Sequence, residues 1–100
     1  MLTVVNKYKL VDSNAVRINI MRPSALGNPF IIGKDSNRDQ VIDKYKAYLF
    51  EEVNKKGNVW KELARIYLLV KEGKDVELVC CCKPKRCHGD IIKEFIDNFI

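Results

Sequence analysis

Read from its amino terminus, the chain changes the spacing of its apolar residues from one segment to the next. Leu2 to Asn6 is a short apolar run with β-branched residues, which predicts a first strand. Asp12-Ser13-Asn14 has turn chemistry. Val16-Arg17-Ile18-Asn19-Ile20 then alternates apolar and polar, the period of a half-buried strand. Further on the period becomes helical: Val41, Tyr45, Tyr48, Leu49 and Val53 form a stripe that Ser36 or Asn37 can cap and Gly57 ends. Trp60, Leu63, Tyr67 and Val70 predict a second helix, with Asn58 as its cap and Gly73 as its stop. Asp75 to Cys82 is the clearest strand, with Val76, Leu78, Cys80 and Cys82 on one face and Glu77, Val79 and Cys81 on the other. A last helix starts near Asp90 and carries a broad stripe of Ile91, Ile92, Phe95, Ile96, Phe99 and Ile100.

The order is strand, strand, long loop, helix, helix, strand, helix. It predicts a single α/β domain over residues 1–100: a small mixed sheet of three to four strands flanked by about three helices. The loop, residues 22–37, holds two of the three prolines, and long loops inside compact domains usually carry function. In α/β folds ligands sit beyond the carboxyl ends of strands, where loops enter helices. Here that place is residues 82–90.

Charge narrows the partner class. The formal net charge of +5 favours an anion, either nucleic acid or a phosphorylated small molecule. The lysines are scattered over helix faces among acids, and only Lys83-Pro84-Lys85-Arg86 is a compact basic run. Without a basic face or alternating aromatic and basic positions, nucleic acid should bind weakly and without sequence preference. No charged leader precedes a long apolar run, and no apolar stretch approaches the roughly 18 residues of a membrane span, so a cytoplasmic protein is expected, with no membrane partner. Self-association is left open. Four cysteines between positions 80 and 87 cannot staple distant parts of a fold; they read as thiols, metal ligands or a nucleophile.

The segment Cys80-Cys81-Cys82-Lys83-Pro84-Lys85-Arg86-Cys87-His88-Gly89-Asp90 leaves a strand, turns and enters a helix. Asp90 reads as the N-cap and Gly89 as a point of close backbone approach. Unpaired N–H groups at the helix start, with Lys83, Lys85 and Arg86 nearby, would suit a phosphate. Three readings compete for the thiols. Cys80, Cys82, Cys87 and His88 could surround zinc, although C-x-C and adjacent Cys-His spacings fit it poorly and no cofactor is expected. Cys82 or Cys87 could be a nucleophile with His88 as base, the whole acting on a nucleotide or a nucleic-acid base. Or the cysteines are small buried hydrophobes and His88 a hydrogen-bonded core residue.

A second segment, Arg22-Pro23-Ser24-Ala25-Leu26-Gly27-Asn28-Pro29-Phe30, has a defined turn at Gly27-Asn28-Pro29. It could present Arg22, Leu26, backbone amides at Gly27, the Asn28 amide and the Phe30 ring to a planar ligand such as a base. Arg38 could reach a phosphate. As a plain connector, the same loop would only plug the core with Leu26 and Phe30.

Taken together, Leu26-Gly27-Asn28-Pro29-Phe30, Arg38 with Tyr45, and Cys80-x-Cys82-x-Pro84-x-Arg86-Cys87-His88-Gly89-Asp90 resemble the domain-of-unknown-function family 4326, small proteins of bacteriophages and bacteria. The resemblance spans nearly the whole chain. The family pattern commonly has an aromatic where this sequence has Cys81, which argues against an essential role there. The resemblance implies function for Gly27, Asn28, Arg38, Cys82, Cys87, His88 and Asp90, suggests a viral origin, and supplies no reaction. The expectation it leaves is a module binding a nucleotide-like, phosphate-bearing small molecule, in the manner of ADP-ribose. An enzyme with a Cys/His centre and a zinc-stabilised nucleic-acid-binding domain are the alternatives.

Overall fold

The computed structural model describes residues 1–31, 33, 37–81, 83 and 85–98. The elements run β1 (Leu2–Asn6), β2 (Val16–Asn19), α1 (Arg38–Lys55), α2 (Asn58–Lys71), β3 (Val76–Cys80) and α3 (His88–Asp97), in the order the spacing predicts. The fold is α/β. Its sheet, expected to be mixed, is parallel throughout the described residues, with strand order β1-β3-β2. Residues 7–15 carry the chain back along the sheet, so that β1 and β2 start at the same end: Leu2 and Val16 both stand in register with Val76. β3 then enters between them by way of α1 and α2, the long crossover that a parallel pair requires.

The three helices pack on one another, and α2 and α3 pack on the sheet. Leu2, Ile18, Val76 and Leu78 from the strands join Tyr45, Leu63, Ile92 and Ile96 from the helices in one buried cluster. On the sheet's other face Arg17 Nε donates to Glu77 Oε1 at 2.8 Å across the β2–β3 pair. Arg17 also donates to the Val11 carbonyl in the connector.

Helix ends follow local chemistry, with differences from expectation. Asn37 caps α1: its Oδ1 accepts the Gln40 N–H at 3.0 Å, while Gln40 Oε1 accepts the Asn37 N–H at 3.3 Å. Lys56 takes the left-handed conformation at φ 52°, and Gly57 rather than Asn58 is the cap position of α2. The buried residues of α2 are Val59, Leu63 and Ile66, so its inward stripe is rotated from the expected one and Trp60 stays 40% exposed. The helix α3 begins two residues before Asp90, with Cys87 at the cap position. β3 ends at Cys80; Cys82 and Phe99, assigned above to the strand and the last helix, lie outside the described residues.

Candidate functional site

Beyond the carboxyl ends of β2 and β3 lies a cleft of about 330 Å³. The 22–30 loop forms one wall, and the end of β3 with the start of α3 forms another. Arg22, Asn28, Phe30, Arg38, Cys87 and His88 all face it. Two segments separated by some fifty residues of sequence thus share one cavity, and the parallel sheet is the reason. It brings the exits of β2 and β3 side by side, and each exit leads to a helix.

The loop wall is fixed from below. Leu26 is buried, and its carbonyl accepts the Tyr45 hydroxyl at 2.8 Å inside the core. Burial raises the Tyr45 phenol far above its ordinary range, so it stays a donor. Leu26, expected as a ligand contact, is therefore a core anchor. A Cβ on Gly27 would stand 2.9 Å from both Cα and N of Arg22, so this glycine lets the two limbs of the loop cross and sets the backbone of Arg22. Gly27 also serves from behind the wall. Asn28 Oδ1 accepts the Phe30 N–H at 2.9 Å, an Asx turn that leaves the NH2 end without an acceptor among the described residues. The Phe30 ring stands edge-on to Tyr48 at 6.2 Å, with Lys44 Nζ 6.0 Å from its centroid.

The second wall is built on His88, the first residue of α3. It is 8% exposed, and its Nε2 lies 2.7 Å from the Ile20 carbonyl. A carbonyl only accepts, so Nε2 carries the proton and Nδ1 holds the lone pair. Burial lowers the imidazole pKa. The Ile20 bond opposes that, the Arg22 guanidinium adds to it, and Asp90 opposes it. His88 is neutral and fixed in one tautomer, with its ring edge-on to Tyr45 at 5.0 Å.

Cys87 lacks the setting of an activated nucleophile. It is buried and its Sγ lies 3.4 Å from Cys80 Sγ. Burial and that contact push its pKa up to about 12, although the Gly89 N–H favours the thiolate. A thiol so placed is mostly protonated at neutral pH, which argues against Cys87 as an attacker. Cys82, the other candidate nucleophile, lies outside the described residues. The same gap applies to the metal set Cys80, Cys82, Cys87 and His88. Among the described residues no group of three or more His, Cys, Asp or Glu side chains could hold a metal ion.

The basic turn also differs from the expected phosphate cradle. Lys83 Nζ pairs with Asp90 Oδ1 at 2.5 Å, a bond that raises the lysine pKa. Asp90 Oδ2 accepts the Cys87 N–H at 3.1 Å, so Asp90 closes the start of α3 from its third position instead of capping it. Arg86 reaches Asp39 at 3.1 Å and Asp43 at 3.4 Å on α1. Its carbonyl accepts from Arg38 at 3.0 Å. Lys83, Arg86, Gly89 and Asp90 hold the turn to its neighbours and are not among the described residues that line the cleft. Gly89 is a close-approach residue, but toward the sheet: a Cβ there would stand 2.8 Å from Val4 Cγ1 and 2.9 Å from Ile20 Cδ1. Arg22 and Arg38 do face the cleft, and neither has a carboxylate partner among the described residues.

Sequence reasoning missed Met21, Val41 and Ile42, which also line the cleft. Val41 and Ile42 are adjacent on α1, and the helical stripe drew attention to one of them only as core.

The family model described as "Domain of unknown function (DUF4326)" matches residues 4–98. The chain belongs to this family. Among relatives of this DUF4326 chain is the "Uncharacterized 12.4 kDa protein in nrdA-td intergenic region" of Enterobacteria phage T4. It is 36% identical over 96 residues, which cover 95% of this chain and 77% of that protein. No solved structure matches the chain at a significant level. No helix among the described residues is long and apolar enough to cross a membrane.

Proposed function

We propose that the cleft binds a nucleotide-like, phosphate-bearing small molecule, and that the protein handles or sequesters nucleotides in the cytoplasm of an infected host. The observation that carries this reading is the content of one cavity. It holds two arginines without carboxylate partners among the described residues, an Asn amide whose NH2 has no acceptor among them, an aromatic ring and a neutral histidine. Arginine forks suit phosphate, and the amide and the ring suit a base or ribose. The volume of about 330 Å³ falls in the small-ligand range of roughly 300–1,000 Å³. The kinship with a phage protein agrees with a role during infection.

The burial of Cys87, with its Sγ 3.4 Å from Cys80 Sγ, favours a binding role over one in which Cys87 attacks. Nucleic acid should bind only through phosphate attraction and lose most of its affinity on adding salt. The test is mass spectrometry of small molecules released when the purified protein is denatured, followed by thermal unfolding with each candidate added back. A bound ligand at about 100 times its Kd adds about 2.7 kcal/mol of stability. Asn28→Ala should weaken the same ligand while leaving the fold intact. Sequence-selective DNA binding that survives moderate salt, with no small molecule released, would replace this reading.

A further inference from the structure

Resting on that reading, we infer that Arg22 and Arg38 form a two-arginine clamp for a terminal phosphate, and that the ligand is a nucleoside monophosphate. The inference comes from charge matching. Lys83 is matched by Asp90, and Arg86 by Asp39 and Asp43. Arg22 and Arg38 face the cleft without such partners among the described residues, and His88 between the walls is neutral.

Two guanidinium charges call for a ligand near −2. A phosphomonoester carries about −1.5 to −2 at neutral pH. A cyclic or bridging diester carries about one charge per phosphate, and a nucleoside none. Arg38 is also held in place: its Nη1 donates to the Arg86 carbonyl at 3.0 Å, which leaves its other N–H groups to donate elsewhere. The turn that carries Arg86 is held in its turn to α1 by Asp39 and Asp43. The basic run thus acts as a bracket for the phosphate-binding arginine. Size agrees. About 330 Å³ is the lower end of the range for small-ligand sites, which suits one base, one sugar and one phosphate better than two sugars joined by a pyrophosphate.

The experiment is calorimetric titration of the full chain with a panel: each common base as nucleoside, 5′-monophosphate and 3′,5′-cyclic monophosphate, together with ADP-ribose. One 5′-monophosphate should bind at least about tenfold more tightly than its nucleoside and cyclic forms, the loss expected for one charge-assisted hydrogen bond. Arg22→Ala and Arg38→Ala should each weaken it about tenfold to a hundredfold. Arg22→Lys, which keeps charge without the fork, should fall between wild type and Arg22→Ala. Thermal melts confirm that each variant is folded, and Arg22, exposed at the cleft wall, is the variant least able to disturb the core. If ADP-ribose or a cyclic form binds more tightly, or if the arginine variants leave the monophosphate affinity unchanged, the clamp is overturned and the nucleotide reading survives. If no member of the panel binds, both fall.

Discussion

Single residues around the cleft do work that their chemistry alone would not assign. Gly89 shows this most directly, because its missing side chain is what lets the start of α3 press against Val4 and Ile20. Gly89→Ala should destabilise the protein by about 1–3 kcal/mol by overpacking, read as a shift in urea midpoint without a change of slope. A glycine facing only ligand would tolerate alanine with little loss of stability. His88 offers a second check, and it is the sole histidine of the chain. Its pKa is lowered from the ordinary 6.5, chiefly by burial. The unfolded chain therefore takes up a proton as pH falls through about 6.5, while the folded chain does not until lower pH. Stability from the neutral ring is complete above 6.5 and is lost progressively as pH falls from there toward the folded value. The imidazole resonances should titrate with a midpoint below 6.5, and a midpoint above it would contradict the buried, singly protonated ring. Thiol labelling completes the set. Cys87 should alkylate slowly at neutral pH in the folded protein, and rapid labelling there would revive the nucleophile.

At the level of elements, much was legible, and the misses share a cause. An apolar run, strand alternation and helix periods locate the six elements of the described residues, because burial imposes those patterns. Periodicity does not reveal which arc of a helix is covered when aromatic residues lie next to aliphatic ones. In α2 both Trp60 and Val59 are apolar, yet the covered arc runs through Val59, Leu63 and Ile66. In α3 the sequence gives Phe95 and Ile96 equal claim. The structure buries Ile96 fully and leaves Phe95 half-buried, edge-on to Phe50 at 5.8 Å. Ile96→Ala should thus cost about 2–5 kcal/mol, and Phe95→Ala less than the about 3–5 kcal/mol of a fully buried aromatic. Comparative urea unfolding of the two variants decides the matter, and the reverse order of losses would mean that α3 is rotated.

Across the whole molecule, convergence of the two segments could be expected from the rule that ligands gather at strand carboxyl ends. The division of labour inside them could not. Sequence places Lys83, Arg86 and Asp90 beside a helix start, where free cations and amides would suit phosphate. It does not show that Asp39 and Asp43, half the chain away, neutralise Arg86, or that Asp90 turns back on Lys83. Those are long-range pairings that no local pattern records. Candidate contacts thereby sort into residues that face the cleft and residues that set the facing ones in place.

Tyr45 belongs to the second kind, and it connects the two walls. Its hydroxyl holds the Leu26 carbonyl of the loop at 2.8 Å, and its ring lies against the His88 imidazole at 5.0 Å. It does not itself line the cleft. Tyr45→Phe keeps the ring and its contact with His88 and removes only the bond to the loop, leaving a buried carbonyl unpaired. An unpaired buried acceptor costs about 1–3 kcal/mol, which denaturant unfolding would read. The same loop carries Arg22 and Asn28, so loosening it should also weaken the ligand. The His88 titration should hardly move, because the imidazole's bond to Ile20 is untouched. That combination marks a residue acting through the loop: lower stability, weaker binding and an unchanged histidine. If the variant loses stability but binds with full affinity, the Leu26 anchor does not set the position of Arg22 and Asn28, and the loop wall must be held from elsewhere.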